Sequence, residues 1–447
     1  MKLIKLPQEK VLRDPIHDYI HIEYQVIMDL INSREFQRLR NIKQLGTLSF
    51  IFHGAEHTRF GHSLGVYEIT RQIIKHFHNN YPMETFGING WNHNEDIVTL
   101  CAALLHDVGH GAYSHTFEHL FQTNHEQISV DIIQSEQTEI HQILKKCHHD
   151  LPNKVAQVIQ KTYSNPQVVQ IISSQADADR MDYLLRDAYF TGVNYGLYDL
   201  SRILYVIRPY KDGICFKNSG MHAVEDYITS RYQMFNQIYF HPVSRGMESI
   251  LANVLKRAKD LYPENKNYFK QTSPWLVPFF NNKYTLKDYL KLDDYTLYTY
   301  IKQWITSKDY ILKDLSSAFI HRKPFKSIKI SEDTDLRQIK SLKTLLDKLG
   351  FDHNYYSALN SAKDLPYDVY RARKHHPQTQ IEIMCPNGNL AELSTKSKMV
   401  KALSGEMTTD RRFYIPQELF KKENSLNIKL LNELHSYIEN NTFKPKK

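Results

Sequence analysis

The feature that most constrains this chain is the pair His106-Asp107, delivered by the apolar run Cys101-Ala-Ala-Leu-Leu and followed one helical turn later by His110. His106, Asp107, His110, His115 and Glu118 crowd into one short window. Such a density of ionisable groups is costly to desolvate unless something pairs them. An isolated His-Asp pair reads more simply as a helix cap, but the crowding here favours a divalent cation. An imidazole beside a carboxylate suits Mn, Fe, Ni or Zn, or Mg with extra waters. Gly109 and Gly111 let backbone approach closely at this point.

A chain of 447 residues can bury a large core and divide into domains. With only 16 Gly and 16 Pro it carries few breakers, which points to a mainly helical fold. The net charge of +8 is small for the length, so it permits an anionic ligand without requiring nucleic acid. Cys101, Cys147, Cys215 and Cys385 are far apart with no CxxC spacing, and read as reduced thiols of a cytoplasmic protein. The first residues are too short and too interrupted for a signal peptide, and no apolar run approaches a membrane span.

In chain order, residues 10–23 alternate as a strand or hairpin, and Val26 to Leu45 turn to helical period. Arg34, Arg38, Arg40 and Lys43 ride on that helix as a solvated basic face or a phosphate-binding one. Arg59 and His62 share the face of a helix start. His115 and Glu118 have the spacing at which a carboxylate orients an imidazole, and His125-Glu126 stand where the next helix begins. Val168 to Ala188 reads as one helix whose polar stripe is Asp179, Asp182, Tyr183, Arg186 and Asp187, with Asp179 a further candidate ligand. Ile203 to Phe216 reads as a β-hairpin, and a long helix from His222 to Leu261 should kink or break at Pro242. Beyond residue 320 the stretches at Ser327, Tyr367–Arg371, Gln380–Met384 and Leu390–Leu393 alternate like strands, and Asn424 to Asn440 is an amphipathic helix. The expected organisation is therefore a core over 1–320 and a smaller α+β domain over 321–447, regulatory or oligomerising.

With His62, His106-Asp107 and Asp179 in that order, the chain resembles the HD-domain metal phosphohydrolases. Asp14-Pro-Ile-His, Phe36-Gln-Arg-Leu-Arg40, Gln44-Leu45-Gly, His57-Thr-Arg59-Phe-Gly-His62, His106-Asp-Val-Gly-His-Gly and Arg180-Met-Asp182-Tyr183 narrow the resemblance. They are similar to blocks of the deoxynucleoside triphosphate (dNTP) triphosphohydrolases, bacterial members akin to the core of the animal SAM- and HD-domain enzyme. The resemblance implies a helical HD core with a short β-hairpin, one divalent metal on His62, His106, Asp107 and Asp179, and a homotetramer. It implies that Arg59, His110, His115, Arg180, Tyr183 and Arg231 hold a triphosphate, with Arg180 where the family commonly has Lys. It further implies that Gln44, Leu45, Asp187 and Tyr239 hold the sugar and read its 3′-hydroxyl. Glu118 stands where some relatives have Asp.

On that basis the expected reaction is metal-dependent hydrolysis of a dNTP to deoxynucleoside and tripolyphosphate. The acid for the departing 5′-oxygen is expected to be His115 oriented by Glu118, or else His125 with Glu126, with His110 stabilising the transition state. An allosteric nucleotide site is implied at Lys10, Val11, Asn32, Gln37 and Arg40. There Asn32 replaces an acid, which shifts the expectation away from guanine. The alternatives are another HD phosphohydrolase or phosphodiesterase, and a nucleotide sensor that binds nucleic acid through the basic face and the Arg371–His376 segment.

Overall fold

The structure is a computed structural model that describes residues 4–330, 336–364, 380–404, 408–420 and 427–441. Side chains are described for all of these except 115, 336, 361–364, 408–409 and 439–441. Helices dominate, as the scarcity of breakers predicts. The chain opens with an antiparallel hairpin, β1 (Lys5–Asp14) and β2 (Asp18–Tyr24), and then α1 (Gln25–Asn32). The expected helix over 26–45 is α1 followed by two single turns, because Ser33 adopts an extended backbone between them.

The core is assembled on α2 (Arg59–Asn80) and α3 (Asp96–Leu105). Every residue of α3 is buried, the signature of a helix apolar on all faces and surrounded by others. Next come α4 (His115–Phe121), α5 (His125–Gln134) and α6 (Ala178–Thr191). The single helix expected over 168–188 is two, Pro166–Ile172 and α6. The break is made by Asp177, whose carboxylate accepts the N–H groups of Ser174 (2.7 Å) and Arg180 (2.8 Å) and so caps a new helix. α6 packs directly on α2 because residue 65 is glycine: a Cβ there would lie 1.8 Å from Asp182 Oδ1.

The hairpin predicted near 203–216 is β3 (Ile207–Tyr210) with β4 (Gly213–Lys217); residues Leu200–Val206 before it are helical. α7 (Met221–Met234) passes through a π-turn, Phe235–Tyr239, and α8 (Pro242–Leu261) restarts with Pro at its first position, where a missing N–H costs nothing. The later segments are β5 (Lys326–Lys329), α9 (Leu336–Lys348), β6 (Ala358–Asp364), β7 (Glu382–Met384), β8 (Leu390–Glu392), β9 (Thr408–Ile415) and α10 (Ile428–Asn441). β7 pairs parallel with β4, so this late part of the chain completes a sheet begun by the hairpin, in the order β3-β4-β7-β8. The other sheet runs β5-β9-β6 and has its own core with α9 and α10, including Ile328, Leu346, Phe413 and Leu434. The strand expected at Tyr367–Arg371 lies outside the described residues. Among the described residues no helix is long and apolar enough to cross a membrane.

Candidate metal centre and cavity

Three helices bring the expected ligands together. His62 lies in the first turn of α2, His106 and Asp107 directly follow α3, and Asp179 sits in the first turn of α6. His62 is fully buried and donates Nδ1–H to Asp182 Oδ2 at 2.8 Å, which turns Nε2 toward Asp179 Oδ1 at 3.1 Å. A carboxylate behind a histidine in this way sets the tautomer and aims the other nitrogen. His106 donates Nδ1–H to the Ala103 carbonyl at 2.8 Å. Its Nε2 points inward, 3.5 Å from Asp107 Oδ1 and 3.7 Å from Asp179 Oδ1, buried and without a hydrogen-bond partner. Donor atoms of His62, His106 and Asp179 thus converge within 4.8 Å of one another. Two nitrogens and a carboxylate oxygen, with Asp107 alongside, fit a divalent transition metal.

The electrostatics agree with that fit. Burial by itself would lower the His62 pKa, yet hydrogen bonds to Asp179 and Asp182 raise it to about 10. Burial would raise the Asp107 carboxyl, yet His110, His106 and Arg59 hold it well below its ordinary range. The cluster stabilises positive charge at its centre, and a cation supplies it while displacing the imidazole proton. His110 behaves oppositely: burial and the nearby Arg59 guanidinium push it down to about 3, so it is neutral at ordinary pH.

Asp107 and Asp179 line a cavity of about 860 Å³, a size suited to a nucleotide-sized ligand. Arg59 reaches into it, bonded to Asp107 Oδ2 and to Ser114 Oγ (3.0 and 3.2 Å). Gln44, Leu45, Tyr183, Asp187 and Tyr239 line the same space, as the resemblance implies. Tyr239 donates to Asp187 Oδ2 at 2.7 Å, and His57 Nε2 meets Asp187 Oδ1 at 2.8 Å, so both oxygens of that carboxylate are fixed. Gln44 Oε1 is buried without a hydrogen-bond partner.

One expected acid–base pair is different: the acid beside His125 is Glu118 rather than Glu126. Glu118 meets His125: its Oε1 accepts from the His125 backbone N–H (2.9 Å) and contacts His125 Nδ1 (2.8 Å). Glu126 instead faces outward to Lys161 at 2.9 Å, because at its position on α5 the side chain points away from the cavity. The His125 ring stacks on His110, with centroids 3.9 Å apart. The His115 side chain lies outside the described residues, although His115 begins α4. Arg180 is held by Asp177, and Arg231 lies over the Phe235 ring at 5.6 Å; neither lines the cavity. Of the expected activator residues, Lys10, Val11, Asn32 and Arg40 are exposed, and Gln37 is half-buried. Arg40 lies 3.6 Å over the Phe60 ring and donates to Gln37 Oε1 at 2.8 Å. The Arg371–His376 segment lies outside the described residues.

Several contributors were given no role in the site from the sequence. Asp182 is one: fully buried, it accepts from His17 (2.6 Å), His62 and Arg186 (2.8 and 3.0 Å), while Arg186 also bridges to Asp14 at 3.0 Å. The block Asp14-Pro-Ile-His17 carried that signal, since a buried carboxylate needs such partners. Another is the wall made by Glu248 and Asn253 of α8 and by Ala358 to Asn360 of β6. Arg245 ties these two elements, donating to Asn360 O (3.1 Å), Asn360 Oδ1 (3.0 Å) and Asp410 Oδ2 (2.6 Å).

Known proteins resemble this geometry over most of its length. The HD domain family matches residues 59–187 and the HD associated region family residues 198–345. An uncharacterised Bacillus subtilis protein, YwfO, is 47% identical over 415 residues, covering 93% of this chain and 94% of that protein. A Dictyostelium discoideum protein named deoxynucleoside triphosphate triphosphohydrolase SAMHD1 homolog is 28% identical over 262 residues, 56% of this chain and 49% of that one. The crystal structure of a phosphohydrolase from Bacteroides thetaiotaomicron superposes with a TM-score of 0.76 at 28% identity, covering 92% of this chain and 99% of that one.

Proposed function

As a member of the HD-domain dNTP triphosphohydrolase-like family, this chain is an HD-type phosphohydrolase, and we propose that it cleaves dNTPs to deoxynucleoside and inorganic tripolyphosphate. The observation that carries the reading is one shared cavity. Asp107 and Asp179 line it, His62 Nε2 and His106 Nε2 converge on Asp179 from behind, and Gln44 with the Tyr239–Asp187 pair lines it too.

His62, His106, Asp107 and Asp179 hold the divalent metal in this reading. When bound, that ion acidifies water and polarises the α-phosphoryl group. The chain's own groups do the rest. Arg59, already in the cavity, exchanges its Asp107 contact for phosphoryl oxygens, and Tyr183 on the same wall extends the binding of the triphosphate; Arg180 and Arg231 reach it only by leaving Asp177 and the Phe235 ring. Water adds to the α-phosphorus, the bond to the 5′-oxygen breaks, and that oxygen takes a proton. His125, held by Glu118, is the acid whose orientation supports the role; His115, at the head of the helix carrying Glu118, is the other candidate acid. Neutral His110 stacks behind His125 and hydrogen-bonds through the transition state. Gln44 and Asp187 read the 3′-hydroxyl, and Leu45 with Tyr239 crowds the 2′ position, so a ribonucleotide must displace packed atoms at about 1–3 kcal/mol.

The activator reading follows the same line. Lys10, Val11, Gln37 and Arg40 bind a nucleotide between subunits of a tetramer, and Asn32, with one acceptor and one donor, pairs with adenine rather than guanine. Hydrolysis measured with and without GTP, dGTP, ATP and dATP, in wild type and Asn32→Asp, tests this; activation by GTP alone in both proteins refutes it. The main test is incubation with each dNTP and Mg or Mn. Deoxynucleoside and tripolyphosphate should appear in equal amounts, with ATP a poor substrate. Release of pyrophosphate or orthophosphate as the first product, or equal turnover of ATP and dATP, refutes the reading.

A further inference from the structure

The helix pair α2–α3 carries a second group of metal-type donors at its other end. His62 lies near the start of α2 and His78 in its last turn; His106 directly follows α3 and Asp96 is its first residue. His93 stands in the short turn just before Asp96. Donor atoms of His78, His93 and Asp96 lie within 4.8 Å of one another, as those of His62, His106 and Asp179 do. From this juxtaposition we propose that His78, His93 and Asp96 form a second binding site, for a divalent transition metal of the zinc, cobalt or nickel class, separate from the catalytic cavity.

The ligand set selects that class. Two imidazoles with one carboxylate suit zinc and its neighbours, whereas Mg and Ca prefer oxygen donors. The imidazoles are already paired, with His78 and His93 centroids 3.9 Å apart and rings crossed at 64°. Asp96 is buried and its orientation is fixed from behind, since Trp91 Nε1 donates to Oδ1 at 2.8 Å. His78 Nε2 is 2.9 Å from that same oxygen, so Oδ2 takes part in neither contact. Two donors on a tetrahedral ion with bonds of about 2.0–2.1 Å stand about 3.3 Å apart. A movement of a few tenths of an ångström therefore converts the hydrogen bond into shared coordination. His93 is exposed, which leaves the remaining position to water and gives the ion a path in.

The consequence is mechanical. An ion here joins the last turn of α2 to the first turn of α3, and these are the helices that position His62 and His106–Asp107 at their other ends. It reduces the freedom of the pair without touching substrate.

The test is a count of sites on the full-length protein, using Co²⁺ absorption and Zn²⁺ titration after chelation. Wild type is expected to bind two equivalents, His93→Gln and His78→Gln one each, and Asp179→Ala one. Adding Zn²⁺ to Asp179→Ala should raise its Tm, and the double variant Asp179→Ala/His93→Gln should lose that rise. His93→Gln is surface-exposed and should keep turnover at saturating metal. Binding stoichiometry and Tm response unchanged by both His93→Gln and His78→Gln overturns the proposal. One equivalent in wild type that His93→Gln removes supports it and counts against the cavity metal instead.

Discussion

The part of the cavity wall built by α2, α3 and α6 differs in kind from the part built by α8 and β6. In the first, His62, Asp107, Asp182 and Arg186 are charged or ionisable groups taken out of water, Asp179 is half-buried beside them, and each is held by others behind it. In the second, Glu248, Asn253, Ala358 and Leu359 offer scattered polar atoms and apolar surface, with one arginine clasp, Arg245, joining helix to strand. Buried charge tolerates no missing partner, whereas a wall of mixed surface tolerates small changes in shape. Chemistry therefore belongs to the first wall. The second decides what fits beside it.

Substitutions can break this contrast, and the largest effect should come from the ligands. Asp179→Ala or His106→Ala should abolish turnover and lower metal content while leaving the circular dichroism spectrum and Tm near wild type. Full activity with metal lost would disprove the assignment. Next in size is the proton donor: His125→Gln should lower kcat by about 10²–10⁴-fold, the usual worth of a positioned acid. If His115→Gln shows that loss and His125→Gln does not, the acid is His115 and the Glu118–His125 contact is structural. Asp182→Asn should act one step removed, weakening metal affinity by about 10–100-fold and regaining activity as metal is raised. A kcat loss that excess metal cannot reverse would show a direct role. Smallest should be Arg245→Ala, which releases the α8–β6 clasp. Stability should fall by about 1.5–3 kcal/mol, the range for hydrogen bonds to a charged group, with KM rising and kcat near wild type. A collapse of kcat instead would mean that the two walls are not separable.

The same contrast separates what was legible in the sequence from what was not. His106-Asp107 stood out as a crowded local window, and His62 and Asp179 joined them through the order of motifs that carries the family resemblance. The break at Pro242 and the hairpin around Lys211-Asp212-Gly213 were equally local. The pairing of Glu118 with His125 was not, because it depends on how α4 and α5 meet across Gln122–Asn124. Sequence adjacency left Glu126 beside His125, although Glu126 turns out to Lys161.

By itself the sequence determined the mainly helical class and the ordered blocks that mark the family, each block written in residues close together in the chain, and those blocks name the donors a cation requires. Only the tertiary structure decided which carboxylate stands behind His62, since Asp182 reaches it across a helix contact that Gly65 permits. It also decided that β7 extends the β3–β4 hairpin and that β6 closes the cavity. Those contacts join residues more than a hundred positions apart, and no local period or spacing records them: their free energy comes from burying one face against another, which exists only once the chain has folded.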